Sequence, residues 1–511
     1  MIEPRIGRTT CLTRGSGRRP HARDGTRRMT AAGWVPGLVL VVLAAGCTQA
    51  PRQRPGAGAG SPPPSTTVPA APASPTLASL PPGLVADPAA FAGQGRLAFA
   101  YQAKTYLIDG QRQTLEALPG GSVMSPDGRW LAWSVPDEGG SQLWVRPLGT
   151  DGPNQLTGLP PGRFTWSPDS KMLAVASANE LWVGGPGVQA HRVIGLSPGE
   201  EVKDVQWSTT SAIVAAASAH ELWVGGPGTE SRRVTSTTEE LDLIGWSPDG
   251  QTLAYVLTFP SKDPPISSTE LYAAPAGGGV PARRYRSEEA RILFAGWWPD
   301  SGGILFWDDG MGSASLLADG AGLLSLPLAG GAPRALGTAL WYKDWISWVG
   351  GDQVVFVAAN GRESWASKSL EACDAARATC RAIPQPAGKV SVDPAWSAAS
   401  NQVAFVRADE LRGDDGTDSE TGGAAWVATR ALWVTSPDGS GQRELTAAGP
   451  GVFGPSWSRD GRHLLYVKGD ALWLMDTVSG TTARIVTLKL DPTAYFYGHI
   501  NWQQRVTWWK G

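Results

Sequence analysis

Beyond residue 46 the chain has four histidines, at 191, 220, 463 and 499. They are the first place to look for acid–base chemistry, because an unperturbed imidazole titrates near neutral pH. His191 and His220 fall at or beside expected strand edges, and His463 follows the turn residues Gly461-Arg462. His499 alone falls on an expected innermost strand, from which a side chain can face a central channel. Nucleophilic chemistry has less support. No serine has glycine two places before and two after it, the arrangement of a nucleophile elbow. No His-x-x-His, Glu-x-x-His or phosphate-cradling glycine loop occurs. The residues point away from an enzyme, and towards neither cofactor nor metal.

Carboxylates recur in a more regular way. The chain reads Gly199-Glu200-Glu201, Thr238-Glu239-Glu240 and Ser287-Glu288-Glu289, each ahead of an apolar run ending in Trp. Glu200 and Glu239 both stand seven places before their Trp, at 207 and 246. Further on, Trp341 and Tyr342, then Tyr495 and Tyr497, occupy corresponding places. An acidic sector beside an aromatic one suits a basic or cationic partner segment. A carboxylate-rich insertion at 408–424 does not follow the ligand order of an EF-hand, so a mobile acidic loop is expected there.

The first 28 residues hold eight arginines against Glu3 and Asp24, a local charge of +6, and residues 29–46 hold none of either sign. Removing 1–46 takes the chain from −2 to −8. A mildly acidic remainder argues against nucleic acid, whose phosphates need clustered Lys and Arg. The apolar run Trp34–Gly46 is 13 residues, about 20 Å as a helix and too short for a bilayer core. With its basic flank it reads as a secretory signal. It ends Leu43-Ala44-Ala45-Gly46-Cys47, which resembles the lipobox of bacterial lipoproteins, with leucine one place further from the cysteine than is usual. The resemblance implies cleavage before Cys47, acylation of that thiol, and a membrane anchor on the extracytoplasmic side. Residues 47–88, rich in Pro, Ala, Ser and Thr, are then a disordered tether. Only Cys373 and Cys380 remain, and their spacing suits a disulfide across a hairpin. A two-thiol metal site is the rival reading.

The rest of the chain repeats itself. Turns following an apolar strand stand at Met124, Trp166, Trp207, Trp246, Trp298, Trp348, Trp396 and Trp457, at spacings of 42, 41, 39, 52, 50, 48 and 61 residues. Those after Met124 and Trp246 read Ser-Pro-Asp-Gly, in which Pro pre-sets φ and Gly takes a left-handed conformation. Each is followed by strands such as Leu253-Ala-Tyr and Leu222-Trp-Val. A unit of 40 to 50 residues is one four-stranded blade of a β-propeller. The fold class is therefore all-β, one large propeller over 89–511 with eight complete repeats. A ninth blade is expected to be split between the chain ends, with eight blades as the alternative. Arg96-Leu-Ala-Phe-Ala and the two strands after it would pair with a first strand at Gly498-His-Ile-Asn-Trp, leaving no open edge.

The repeat lacks the Gly-His and Trp-Asp pairs of WD40 blades and resembles the TolB-type repeats of bacterial envelope proteins. With its leader, and with Arg over Lys at 34 to 10, the chain resembles the LpqB-like actinobacterial lipoproteins. That family carries a separate domain before its propeller, whereas residues 48–86 here are only tether. The resemblance implies a binding or assembly module for envelope or membrane proteins, sensor-kinase ectodomains among them. An envelope hydrolase or lyase working at the channel mouth, or a small-ligand sensor, is the alternative.

Overall fold

The computed structural model describes residues 80–510, apart from 138–139, 150–153, 211, 261–267, 289, 311–319, 360, 412–419, 489–495 and 503–504. Its strands form nine antiparallel sheets of four. Blades 1 to 8 take residues 123–156, 163–195, 204–236, 240–287, 291–339, 346–382, 389–444 and 452–487 in sequence order. Blade 9 joins the ends of the chain. Its outer three strands are Arg96–Tyr101, Lys104–Asp109 and Thr114–Ala117, and its innermost strand is Val506–Trp509.

The expected closure therefore holds, but eight residues later than the motif suggested. Arg96 pairs with Trp509 and Phe99 with Val506, while Phe496–Gly498 is a short 3-10 segment kinked at Tyr497, which takes φ +49°. The run Val506-Thr-Trp-Trp presents a tryptophan to each face of this strand. Trp508 also donates to Gln94 O at 2.6 Å and packs on Phe91. On the other side Trp509 fills the space above Gly128, at the turn of blade 1, where a Cβ would lie 2.9 Å from its ring.

No blade buries both faces alone, so the core is a set of spokes. Apolar clusters join blades 9 and 1, 1 and 2, 2 and 3, 3 and 4, 4 and 5, and 5 and 6. Another runs through blades 6, 7 and 8, and a last one joins blade 8 to blade 9. The circuit is complete, and sheet edges are removed by closure.

The recurrent Trp bolts neighbouring blades together. Trp166, Trp207, Trp246 and Trp457 donate from Nε1 to Val123 O, Thr165 O, Gln206 O and Ala395 O, at 3.1, 3.4, 3.0 and 3.0 Å. Each acceptor stands just before the corresponding residue of the preceding blade. In blade 5 the strand register moves this position. Trp297 pairs with Ile304 as Trp246 pairs with Leu253, and Trp298 takes the turn place that Ser247 holds in blade 4. The repeat residue is thus Trp297, and both spacings around it become 51.

The Ser-Pro-Asp carboxylates are turn chemistry. Ser247 Oγ donates to Asp249 Oδ1 at 2.5 Å, Gln251 N donates to the same oxygen, and Thr252 N donates to Ser247 Oγ. The same triad recurs at Ser125, Ser167 and Ser458. Hydroxyl and amide donors around the charge hold the Asp249 and Asp460 carboxyls below the usual carboxylate range.

Two further differences from expectation concern the margins. Packing begins ahead of residue 89: Leu84 is buried, Thr487 N donates to Val85 O, and Asp87 N donates to Ile485 O, so this segment lines the outer strand of blade 8. The insertion at 408–424 is not loop throughout. Strand Gln402–Asp409 runs into it, and helix Glu420–Ala428 leaves it carrying the buried Trp426. No described helix is long and apolar enough to cross a membrane.

Candidate functional site

Because every blade has the same strand order, the loop leading into each inner strand lies on one face of the ring. The loop between second and third strands shares that face. Here the segment 496–502 forms a strap across blades 6, 7 and 8. Ser364 N donates to Tyr497 O at 3.0 Å, and Arg362 reaches the Tyr497 hydroxyl at 3.3 Å, both from blade 6. Gly498, at φ +82°, lies against Trp365 of blade 6 and Trp426 of blade 7, where a Cβ would stand 3.1 Å from either ring. Trp502 packs on Phe453 and Gly454 of blade 8.

His499 is the centre of the strap. Its ring lies flat on Tyr342, with centroids 3.5 Å apart and planes 7° from parallel, and meets Trp345 edge-on at 5.3 Å. Its Nε2 is 2.9 Å from Asp344 Oδ2. All three partners belong to the loop leading into blade 6, where a 3-10 turn, Lys343–Trp345, presents them together. Tyr342 is only 7% exposed. Its hydroxyl and Asp344 Oδ1 are buried and find no hydrogen-bond partner among the described residues, as do Asn501 Oδ1 and Trp502 Nε1. Burial, and next the Asp344 charge, push the Tyr342 hydroxyl pKa up. Among the described residues no hydroxyl or thiol is hydrogen-bonded to His499.

Beneath this group Asp393 ties three blades. It accepts from Trp345 Nε1 at 2.9 Å, Arg430 Nη2 at 2.6 Å and Gly454 N at 3.4 Å. The Arg430 side chain is 1% exposed, lies between the rings of Trp426 and Phe453, and donates Nε to Val452 O. Asp393 holds φ +55° at a bulge of its strand, where the next blade places Gly454 at φ +51°. A non-glycine residue there costs about 1 kcal/mol or more and persists only when its surroundings hold it. The three hydrogen bonds do so.

Glutamates of these pairs find local partners. Glu200 turns to His220 within its own blade, at 3.1 Å, and the Ser218 hydroxyl lowers its carboxyl pKa despite partial burial. Glu288 is forked by Arg286 at 2.8 and 3.0 Å. Glu239 accepts from Thr238 at 3.3 Å. Glu201 and Glu240 are exposed, and Glu240 begins the inner strand of blade 4. Two residues on stands Asp242, a position the sequence reading missed, although Glu240-Leu-Asp-Leu alternates visibly. Its side chain is accessible yet hemmed in by neighbouring blades. Desolvation, and next the Glu240 charge, raise its carboxyl pKa, while Lys203 and Arg291 oppose this from the adjoining blades. The sector is acidic with cationic flanks.

Trp341 packs half-buried between blades 5 and 6. Cys373 and Cys380 are bonded to each other at paired positions of the two outermost strands of blade 6. Their sulfurs, near Glu371, are thereby committed. Cys47, Glu289 and Tyr495 lie outside the described residues.

No protein-family model matches this chain, and no curated protein matches it in sequence. Solved structures resemble it at low identity. A eukaryotic initiation factor is 11% identical, with a TM-score of 0.48, over 77% of this chain and 96% of that one. A structure assigned to TolB from Agrobacterium tumefaciens is 19% identical, with a TM-score of 0.27, over 51% and 86%. A dipeptidyl aminopeptidase IV structure from Bacteroides ovatus is 12% identical, with a TM-score of 0.42, over 71% of this chain and 59% of its own length. Likeness at this level transfers no activity. The class is defined by the chain's own sheets: a nine-bladed β-propeller.

Proposed function

We propose that this chain is a lipid-anchored, extracytoplasmic propeller that serves as a binding or assembly module for an envelope or membrane protein, Cys47 being the acylated residue. The observation that carries the reading is the composition of one face. Glu200, Glu201, Glu239, Glu240 and Glu288 belong to the lead-ins of three successive blades, with Asp242 just inside, and Trp341 and Tyr342 belong to the lead-in of blade 6, the next blade round. Carboxylates at the rim beside the half-buried Trp341 suit a basic segment, with steering from the first and apolar contact from the second. A sensor-kinase ectodomain with a basic juxtamembrane stretch is one partner of that chemistry.

The test is crosslinking in native membranes, comparing wild type with the quadruple change of Glu200, Glu201, Glu239 and Glu240 to Gln. The reading expects specific captured proteins to be lost in the variant, most strongly at low salt. An unaltered set refutes the role of this face. Cys47→Ser should in parallel release the protein from the membrane fraction, and retention would overturn the anchor.

A further inference from the structure

His499 occupies its place in the manner of a ligand. It comes from a segment distant in sequence, lies flat on an aromatic face, and offers one hydrogen bond to one carboxylate oxygen. The seat has more to give than the imidazole uses. Among the described residues, Asp344 Oδ1 and the Tyr342 hydroxyl are buried with no hydrogen-bond partner while His499 is in place. Each such group is less favourable than in its solvated state. A planar cation with several donors would suit the seat better. A guanidinium stacks on a tyrosine face and sets two parallel N–H donors against both oxygens of a carboxylate, and it has donors to spare for a nearby hydroxyl.

We propose that the Tyr342–Asp344–Trp345 seat is an arginine-recognition site, and that His499 on the strap is a built-in surrogate which an arginine side chain of the partner displaces. This rests on the reading that a basic segment docks on this face, and it names the side chain and its receptor. The strap is held by Tyr497, Gly498 and Trp502 on either side of His499, so exchange at the seat moves a short segment and leaves the blades in place. The unpartnered Asn501 Oδ1 and Trp502 Nε1 add to the cost of the seated state and regain solvent when the strap lifts.

Acetyl-arginine amide is the probe, with its neutral isostere acetyl-citrulline amide as control, each titrated by calorimetry and by the fluorescence of the indoles bordering the seat. If the strap is seated about nine-tenths of the time, His499→Ala raises affinity for the arginine probe about tenfold over wild type. Adding Asp344→Asn to that variant should cancel the gain, and the citrulline probe should not bind. Equal affinity of His499→Ala and wild type, or equal binding of the two probes, overturns the proposal. Should His499→Ala unfold, hydrogen exchange in the wild type decides the matter: saturating arginine probe should speed exchange of the amides in 496–502, and unchanged exchange refutes displacement. The seat and the rim fail separately. Probe binding that survives the four Glu→Gln changes while crosslinking is also unaltered removes the docking reading and keeps the seat. Glutamate-dependent crosslinking without arginine binding does the reverse.

Discussion

Asp393→Asn isolates the knot that holds blades 6, 7 and 8 together. The amide keeps the size of the carboxylate, tolerates φ +55°, and still offers an oxygen to Trp345 Nε1. What it removes is the negative oxygen that accepts from Arg430 Nη2 at 2.6 Å and from Gly454 N, the Arg430 side chain being 1% exposed. Breaking one partner of a buried pair typically costs about 3–5 kcal/mol, because the remaining ion stays desolvated. Arg430 keeps its bond to Val452 O and the two ring faces, so the lower end, about 3 kcal/mol, is expected. Arg430→Met in the same background removes the buried charge that Asp393 balanced and should return part of the loss. The assay is urea unfolding followed by indole fluorescence for wild type, both single variants and the double, read as a coupling energy. A single-variant loss below about 1 kcal/mol, or a double variant as unstable as the singles added together, would show that the ion pair does not hold this side of the ring.

Acid should loosen the interlocked turns. The Asp249 and Asp460 carboxyls titrate below their unfolded values, so their contribution is present above the unfolded carboxylate pKa and is lost as pH falls through the lower folded value. Melting temperature should fall across that acid range, and Asp249→Asn with Asp460→Asn should flatten the slope. An unchanged slope rejects this. The Cys373–Cys380 bond closes a sequence separation of seven, which predicts about 2–3 kcal/mol from loop entropy. Denaturation with and without reductant, beside a thiol titration, checks it, and equal midpoints would deny the bond a stabilising role. Truncation after residue 505 removes the closing strand and exposes the edge of Arg96–Tyr101. Light scattering should then show self-association, and a monomeric, equally stable product would count against closure by this strand.

Much of this protein was legible in its residues. The turn signals and the Trp positions define blades because Pro, Asp and Gly act locally, and because an amphipathic sheet of some 45 residues must bury its second face on a copy of itself. The split blade was legible for the same reason: three strands without a first, and a spare strand at the other end, cannot both be left with open edges. The local signal was ambiguous where two candidates stood side by side. Trp298 looked like the repeat residue until the pairing of Trp297 with Ile304 settled the register. Gly498-His-Ile-Asn-Trp looked like the closing strand although Val506–Trp509 takes that part.

The site was decided by tertiary structure. His499 could be singled out, but nothing near it in sequence announces Tyr342, Asp344 and Trp345, which lie 155 residues away across the Asp344 contact. Nor does sequence show that Asp393, Arg430 and Trp345 meet. Strand alternation and turn chemistry are encoded within a few residues, so one chain suffices to read them. Which loops converge above a ring depends on how many blades close it and how far a strap must reach, and those are properties of the whole circle.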